Sequence, residues 1–518
     1  MLRRTSSFLA CIYLLSTTFQ VVAAKPKVTI ASGPIAGTST KLASSTATVD
    51  QYLGIPFAKS PPERFAPPED PTAWKKELNA SAIKPACIQQ FNYPESTREF
   101  TTRLYNNPPV PESEDCLYLN VYAPSSKPPP GGRAVLFWIY GGNLVFGSGG
   151  LPAYDGTSFA ANQDVIVVTH NYRTNVFGFP NSAELPAGSQ NPGFLDQRKA
   201  LAWVQQNIAA FGGDPSKVTI FGESAGGYSV KQLVSVPPKP LPFRAAIMQS
   251  QAAALEGGST GWEALSTALG CQTAPSEIEC VRTASAIDIK SIIERNALDF
   301  PPVIDGVTQT SNVAAAITFD TAAQVPLLIG TNSEEGRVFA VGIQNVDDQL
   351  SALLPGQPLL QAAIKAAYPP AVYQTPYRIA AAIITDLVFQ CPAAALANLA
   401  ASTGYDVWRY WFDASFPNTQ YFPDAGVYHG SEITQVFGTY PREGATEQQV
   451  ELSKYMQTAW ANFAKDPAKG PGWPKLRSQV LDLQDLGGKG SNGGFNIAEE
   501  AVDYRCPIYA PIIAVRGL

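Results

Sequence analysis

Several short runs of the chain are apolar nearly throughout: RAVLFWIYGG (133–142), DVIVVTHNY (164–172), KVTIF (217–221), AAIMQS (245–250), VPLLIGT (325–331) and DVWRYWF (406–412). They do not alternate between apolar and polar positions. That continuous pattern predicts strands covered on both faces, as in a parallel sheet. Between them lie stretches with helical spacing. The clearest is LDQRKALAWVQQNIAAFGG (195–213), where Leu201, Val204, Ile208 and Phe211 recur on one face and a glycine pair marks the stop. Strands alternating with helices predict an α/β fold with a mostly parallel central sheet covered by helices on both faces. In such sheets active sites gather beyond the carboxyl ends of the strands.

One strand end carries candidate chemistry. KVTIF runs into Gly222-Glu223-Ser224-Ala225-Gly226, a G-x-S-x-G pattern, and small residues follow. A serine on a sharp strand-to-helix turn needs nearly bare neighbours two positions either side, and the helix that follows points its N-terminus at the hydroxyl. The pattern alone is weak, because the chain contains it twice. The second copy, Gly257-Gly258-Ser259-Thr260-Gly261, follows QAAALEG, which has no strand character. Context therefore selects Ser224 as the candidate nucleophile.

The base is found by elimination. The chain has only two histidines. On this fold the serine is followed along the chain by the acid and then the histidine. His170 precedes Ser224 and reads as a strand-end structural residue; His429, in YFPDAGVYHGSEI, follows it. Glu334 and Glu335, just past the VPLLIGT strand, are the acid candidates, and the residue chemistry does not separate them. Asp305 is a rival, but its Asp-Gly pair reads as a turn.

Composition narrows the setting. Lysine and arginine number 37 against 43 acidic residues, with no basic run, which argues against a nucleic-acid partner. Arg3 and Arg4, the apolar stretch 8–22 and then Ala23-Ala24 predict a secretory signal peptide over residues 1–24. After it no run approaches the 18 apolar residues of a membrane span, so no transmembrane segment is expected. Six cysteines then remain, Cys87, Cys116, Cys271, Cys280, Cys391 and Cys506, an even set that implies disulfides in an exported chain. Asn79-Ala80-Ser81 is a glycosylation acceptor sequence. No cysteine or histidine spacing suggests a metal, and no cofactor is implied. With no linker or repeat in the chain, residues 25–518 read as a single domain with long insertions.

Together, YLGIPFAKSPPERFAPP (52–68), SEDCLYLNVYAP (113–124), WIYGG (138–142), NYRTNVFGF (171–179), GFLDQR (193–198), FGGDPSKVTIFGESAGG (211–227) and EEG (334–336) resemble the type-B carboxylesterases. These are the α/β-hydrolase group that includes cholinesterases and some fungal lipases. The resemblance implies that the acid is Glu335, the residue directly before the glycine. It implies that His429 lies in an H-G-x-E context, met here by His429-Gly430-Ser431-Glu432. It implies oxyanion donors at the backbone of Gly142, Asn143 and Ala225. It implies disulfides Cys87–Cys116, Cys271–Cys280 and Cys391–Cys506, and ion pairs Arg64–Glu114 and Arg173–Asp196. Two departures stand out. Asn143 replaces the small residue common after WIYGG, and the segment between Cys87 and Cys116 lacks the tryptophan that binds choline in cholinesterases.

The expectation is a secreted serine carboxylic ester hydrolase, esterase or lipase, working through an acyl-enzyme on a small-molecule ester. The alternatives are a hydrolase or acyl-transfer enzyme dedicated to one secondary metabolite, and a non-catalytic binding protein on the same fold. The aromatics of loop 88–115 are expected to pack as a fixed rim rather than to swing as a lid.

Overall fold

The structure, a computed structural model, describes residues 25–252, 260–515 and 517. The predicted signal peptide at 1–24 and Ser259 of the second serine motif lie outside the described residues.

All of the apolar runs form strands of one eleven-stranded sheet. Across the sheet the order is Gly494–Ile497, Leu483–Leu486, Val407–Phe412, Leu327–Asn332, Ala245–Gln249, Gly213–Glu223, Arg133–Ile139, Ile166–His170, Tyr118–Pro124, Thr48–Pro56 and Thr38–Lys41. From Leu483–Leu486 to Ile166–His170 every neighbour pairs parallel; the strands at both edges pair antiparallel. Every residue of Arg133–Ile139, Ile166–His170, Ala245–Gln249 and Leu327–Asn332 is buried. That is why these strands read as unbroken apolar runs. A separate small sheet joins Lys27–Ile30, Gly33–Ala36 and Leu78–Asn79.

The predicted helix at 195–213 is an α-helix over Pro192–Asn207 that tightens into a 3-10 turn at Ile208–Phe211. Leu201, Val204, Ile208 and Phe211 are all buried, and Gly212 ends it at φ +85°. A second helical stretch is long and apolar without being an unbroken apolar run. Pro376–Ser402 has the length and apolarity of a membrane span, with mean hydropathy 1.8 in its most apolar window, but 83% of that window is buried inside the protein. It is a core helix. Its middle turn, Thr385–Gln390, widens to π geometry.

The three disulfides Cys87–Cys116, Cys271–Cys280 and Cys391–Cys506 are formed. Arg64 grips Glu114 with two charge-assisted bonds of 2.7 and 2.6 Å, and Arg173 grips Asp196 at 2.8 and 2.7 Å. Loop 88–115 carries a rim helix, Glu95–Tyr105, none of whose residues is buried. Its ends are nevertheless tied down. Phe91 stacks on Phe146 at 5.1 Å, the Phe91 N–H donates to Glu294 at 3.0 Å, and Phe100 meets Phe422 edge-on at 5.5 Å.

The strand Gly213–Glu223 turns into the helix Ala225–Ser235 through Ser224 alone. The turn closes because backbones touch. A Cβ on Gly226 would lie 2.0 Å from the Ile139 carbonyl oxygen, and one on Gly222 would lie 2.6 Å from the Gly226 carbonyl carbon. Gly226→Ala must therefore move main chain, as overpacked cores do. It is expected to destabilise the protein by about 1–3 kcal/mol in urea unfolding and to lower esterase activity in the folded fraction. Unchanged stability would mean that the turn has slack.

Candidate active site

Ser224 sits at φ +57°, ψ −122°, a backbone conformation that a residue with a Cβ rarely adopts. It is held there by its N–H donating to the Gln249 carbonyl at 3.0 Å on the neighbouring strand, and by its own carbonyl accepting from Tyr228 at 2.8 Å. Ala225 begins the following helix, so its N–H is one of those a helix cannot satisfy internally.

The carboxyl ends of adjacent strands bring the remaining groups to Ser224. Past Ile139, a turn carries Gly142 at φ +101° and Asn143 at φ +53°, and both line the cavity with Ser224. The Gly142 carbonyl accepts from Val145 and Phe146, which pins the turn. Past Asn332, the chain bends so that Glu335 Oε1 accepts the Asn332 N–H at 2.8 Å. Past Phe412, a long loop brings back His429. Its Nδ1 lies 2.6 Å from Glu335 Oε2, and both residues are buried. Its main-chain N–H donates to the Glu335 carbonyl at 3.3 Å.

Glu334 faces away from His429. Its carboxylate accepts the Val427 N–H at 3.0 Å and pairs with Arg337, latching the loop that carries the histidine. Asp305 is a turn-former: its Oδ1 accepts the N–H groups of Val307, Thr308 and Gln309. His170 is buried in the sheet with Nδ1 3.1 Å from the Trp138 carbonyl and its ring stacked on Phe137; burial pulls its pKa down to about 3, so it stays neutral.

Two further buried carboxylates, to which the sequence assigned no role, lie beside this group. Glu223, inside the serine motif itself, puts Oε1 3.1 Å from His429 Nε2. Neither atom makes an aligned hydrogen bond within the protein. Glu432 accepts from Asn332 Nδ2 at 2.8 Å and Gln249 Nε2 at 3.0 Å. Burial raises the pKa of Glu223 and of Glu432. Burial alone would lower His429, but Glu223, Glu335 and Glu432 outweigh it and raise its pKa. The available signal was the acidic residue inside each motif, G-E-S-A-G and H-G-S-E.

The cavity in front of Ser224 and His429 encloses about 1550 Å³. One side is the rim helix, with Glu95, Arg98, Glu99 and Thr102; the other is apolar, with Ile384, Val388, Phe339 and Phe389. Phe339 and Phe389 stack on each other at 5.7 Å and both lean on the His429 ring, at 5.2 and 4.5 Å.

This arrangement of a half-buried strained serine that lines a cavity, a buried carboxylate–imidazole pair and a glycine-lined turn is that of an acyl-transfer site. Comparison with known proteins agrees. Residues 24–490 match the carboxylesterase family. The para-nitrobenzyl esterase of Bacillus subtilis (strain 168) is 35% identical over 463 residues, covering 84% of this chain and 90% of that protein. The cocaine esterase of Oryctolagus cuniculus is 34% identical over 466 residues, 84% and 86% of the two chains. Carboxylesterase 1C of Rattus norvegicus is 32% identical over 496 residues, 89% of each. The chain belongs to the carboxylesterase family, and it is a carboxylic ester hydrolase of the α/β-hydrolase fold.

Proposed function

We propose that Ser224, His429 and Glu335 are the catalytic triad, with the N–H groups of Gly142, Asn143 and Ala225 as oxyanion donors. The observation that carries this reading is the 2.6 Å contact of Glu335 with His429 Nδ1, which leaves Nε2 without an aligned hydrogen bond in a residue that lines the same cavity as Ser224. His429 Nε2 removes the hydroxyl proton as Ser224 Oγ attacks the ester carbonyl. The oxyanion donors hold the charge that develops on the carbonyl oxygen, and Glu335 stabilises the imidazolium. The imidazolium returns its proton to the leaving alcohol. Water, activated by the same histidine, then releases the acid and frees Ser224.

The substrates we infer are soluble esters with an apolar or aromatic group on the Phe339–Phe389 side and polar groups toward the rim helix. Two relatives are named for para-nitrobenzyl and cocaine, which supports aromatic esters. We infer that the rim stays fixed, which favours short to medium acyl chains over long triglycerides. We infer further that the protein is exported after loss of residues 1–24 and glycosylated at Asn79. Three disulfides suit an oxidising compartment, and Asn79 is exposed.

Ser224→Ala is expected to lower kcat by about 10⁴-fold or more, and Glu335→Gln by roughly 10³- to 10⁴-fold. Glu334→Gln keeps an oxygen for the Val427 N–H and is expected to lose no more than a few-fold, while Ser259→Ala should leave kcat unchanged. Steady-state kinetics on a p-nitrophenyl ester check all of these; an active Ser224→Ala protein would refute the assignment. Across p-nitrophenyl esters of rising chain length, kcat/KM is expected to peak at short to medium acyl groups. Tributyrin hydrolysis should pass its solubility limit without a jump, and a jump together with long-chain preference would mean that the rim opens.

Catalysis needs neutral His429. A raised imidazole pKa means that the base is still protonated above pH 6.5, so kcat/KM should rise with pH along a limb centred above that value. Glu223 is one of the anions that raise it. Glu223→Gln removes that charge and should move the limb to lower pH; a pH–rate profile in which the limb moves up would contradict this.

A further inference from the structure

Tyr105 closes the rim helix, Glu95–Tyr105, a helix without a buried residue. Its hydroxyl nevertheless reaches inward and donates to the main-chain carbonyl of His429 at 3.1 Å. Its ring lies over Gly430, where a built Cβ would come 3.6 Å from Tyr105 Cε1. On its other side the ring stacks on Phe146 at 6.1 Å and 28°. Phe146 in turn closes on Gly142, where a built Cβ would meet the Phe146 ring at 2.8 Å. One side chain thus touches the histidine loop directly and the Gly142–Asn143 turn through a single neighbour.

The backbone it holds is flanked by two glycines in the left-handed region. Gly430, directly after the histidine, is at φ +84°, and Gly426, three residues before it, is at φ +60°. Both conformations are ones that glycine leaves and enters at little cost. The other main-chain bond of His429, its N–H to the Glu335 carbonyl, is long at 3.3 Å. Burial, then Glu223, Tyr428, Glu335 and Glu432, hold the phenol protonated, so the hydroxyl remains a donor wherever the enzyme works.

We propose that Tyr105 is a positioning residue: its bond to the His429 carbonyl fixes the main chain from which the imidazole reaches Ser224, and ties that main chain to the disulfide-bounded loop 88–115. The proposal rests on the triad reading above. A misplaced base costs rate out of proportion to the displacement, because proton transfer requires hydrogen-bond distance.

The test is Tyr105→Phe, which keeps the ring and its stacking and removes the hydroxyl alone. Tyr93→Phe, on the same loop but remote from the histidine, is the control. Parent, Ser224→Ala, Tyr93→Phe and Tyr105→Phe are compared for kcat and KM on p-nitrophenyl butyrate, for the rate of labelling by a fluorophosphonate, and for Tm. For Tyr105→Phe, kcat is expected to fall roughly three- to tenfold, the scale of one neutral hydrogen bond. The labelling rate should fall in parallel, with KM within twofold and Tm matching the control. A kcat within twofold of the parent would overturn the proposal. A raised KM at unchanged kcat would also overturn it, since Tyr105 would then be a cavity wall only. An active Ser224→Ala protein indicts the triad itself; an unchanged Tyr105→Phe in a Ser224-dependent enzyme indicts the tyrosine alone.

Discussion

Three stretches of main chain meet at the end of one strand, and the site is built outward from that contact. Gly226 lies against the Ile139 carbonyl and Gly222 against Gly226, closer than any side chain allows. With the strand and helix drawn together, Ser224 is forced to positive φ and lines the cavity. The same closeness brings Gly141, the start of the glycine turn, beside Ser224: a Cβ there would lie 2.9 Å from Ser224 Cβ and 2.7 Å from Glu223 Oε2. Ser224, the glycine turn and the Glu223 carboxylate are spaced by a single packing constraint.

The second constraint is electrostatic. Glu223, Glu335 and Glu432 are all buried around His429. Burying a carboxylate without partners costs several kcal/mol. Here much of that cost is met by neutral donors, Asn332 N–H for Glu335 and the Asn332 and Gln249 amides for Glu432, while His429 answers Glu335 directly. The protonated form of His429 is thereby favoured, and its pKa rises.

Around this centre the loops are held by latches rather than by regular structure. Glu334 takes the Val427 N–H, and Asp424 is gripped by Arg337 and Arg378. The π turn of the helix Pro376–Ser402 sets Thr385 Oγ1 2.9 Å from the Gly336 N–H and turns Phe389 onto the histidine ring. π geometry inside an α-helix is uncommon and often marks function. Here it lets one core helix touch both the Glu335–Gly336 turn and the His429 ring.

What the chain alone determined follows from local rules. Strands covered on both faces must be continuously apolar, so the central strands were legible as KVTIF or VPLLIGT. The strained serine turn needs glycines at fixed offsets, and with two histidines in a known chain order the base had one choice. The edge strands were not legible: Thr38–Lys41 reads TSTK and Thr48–Pro56 mixes buried and partly buried residues without a regular period, so pairing rather than apolar periodicity makes them strands. The choice between Glu334 and Glu335 came from family resemblance, because neighbouring identical side chains differ only in the direction the bend gives them. Tertiary structure alone sends Glu335 inward to His429 and Glu334 outward to Val427. It alone brings Glu223 to His429 across 206 residues of sequence (429 − 223) and Tyr105 across 324. No periodicity encodes such distances. They exist because strands far apart in the chain end side by side, where burial, charge and backbone contact decide which groups can face one another.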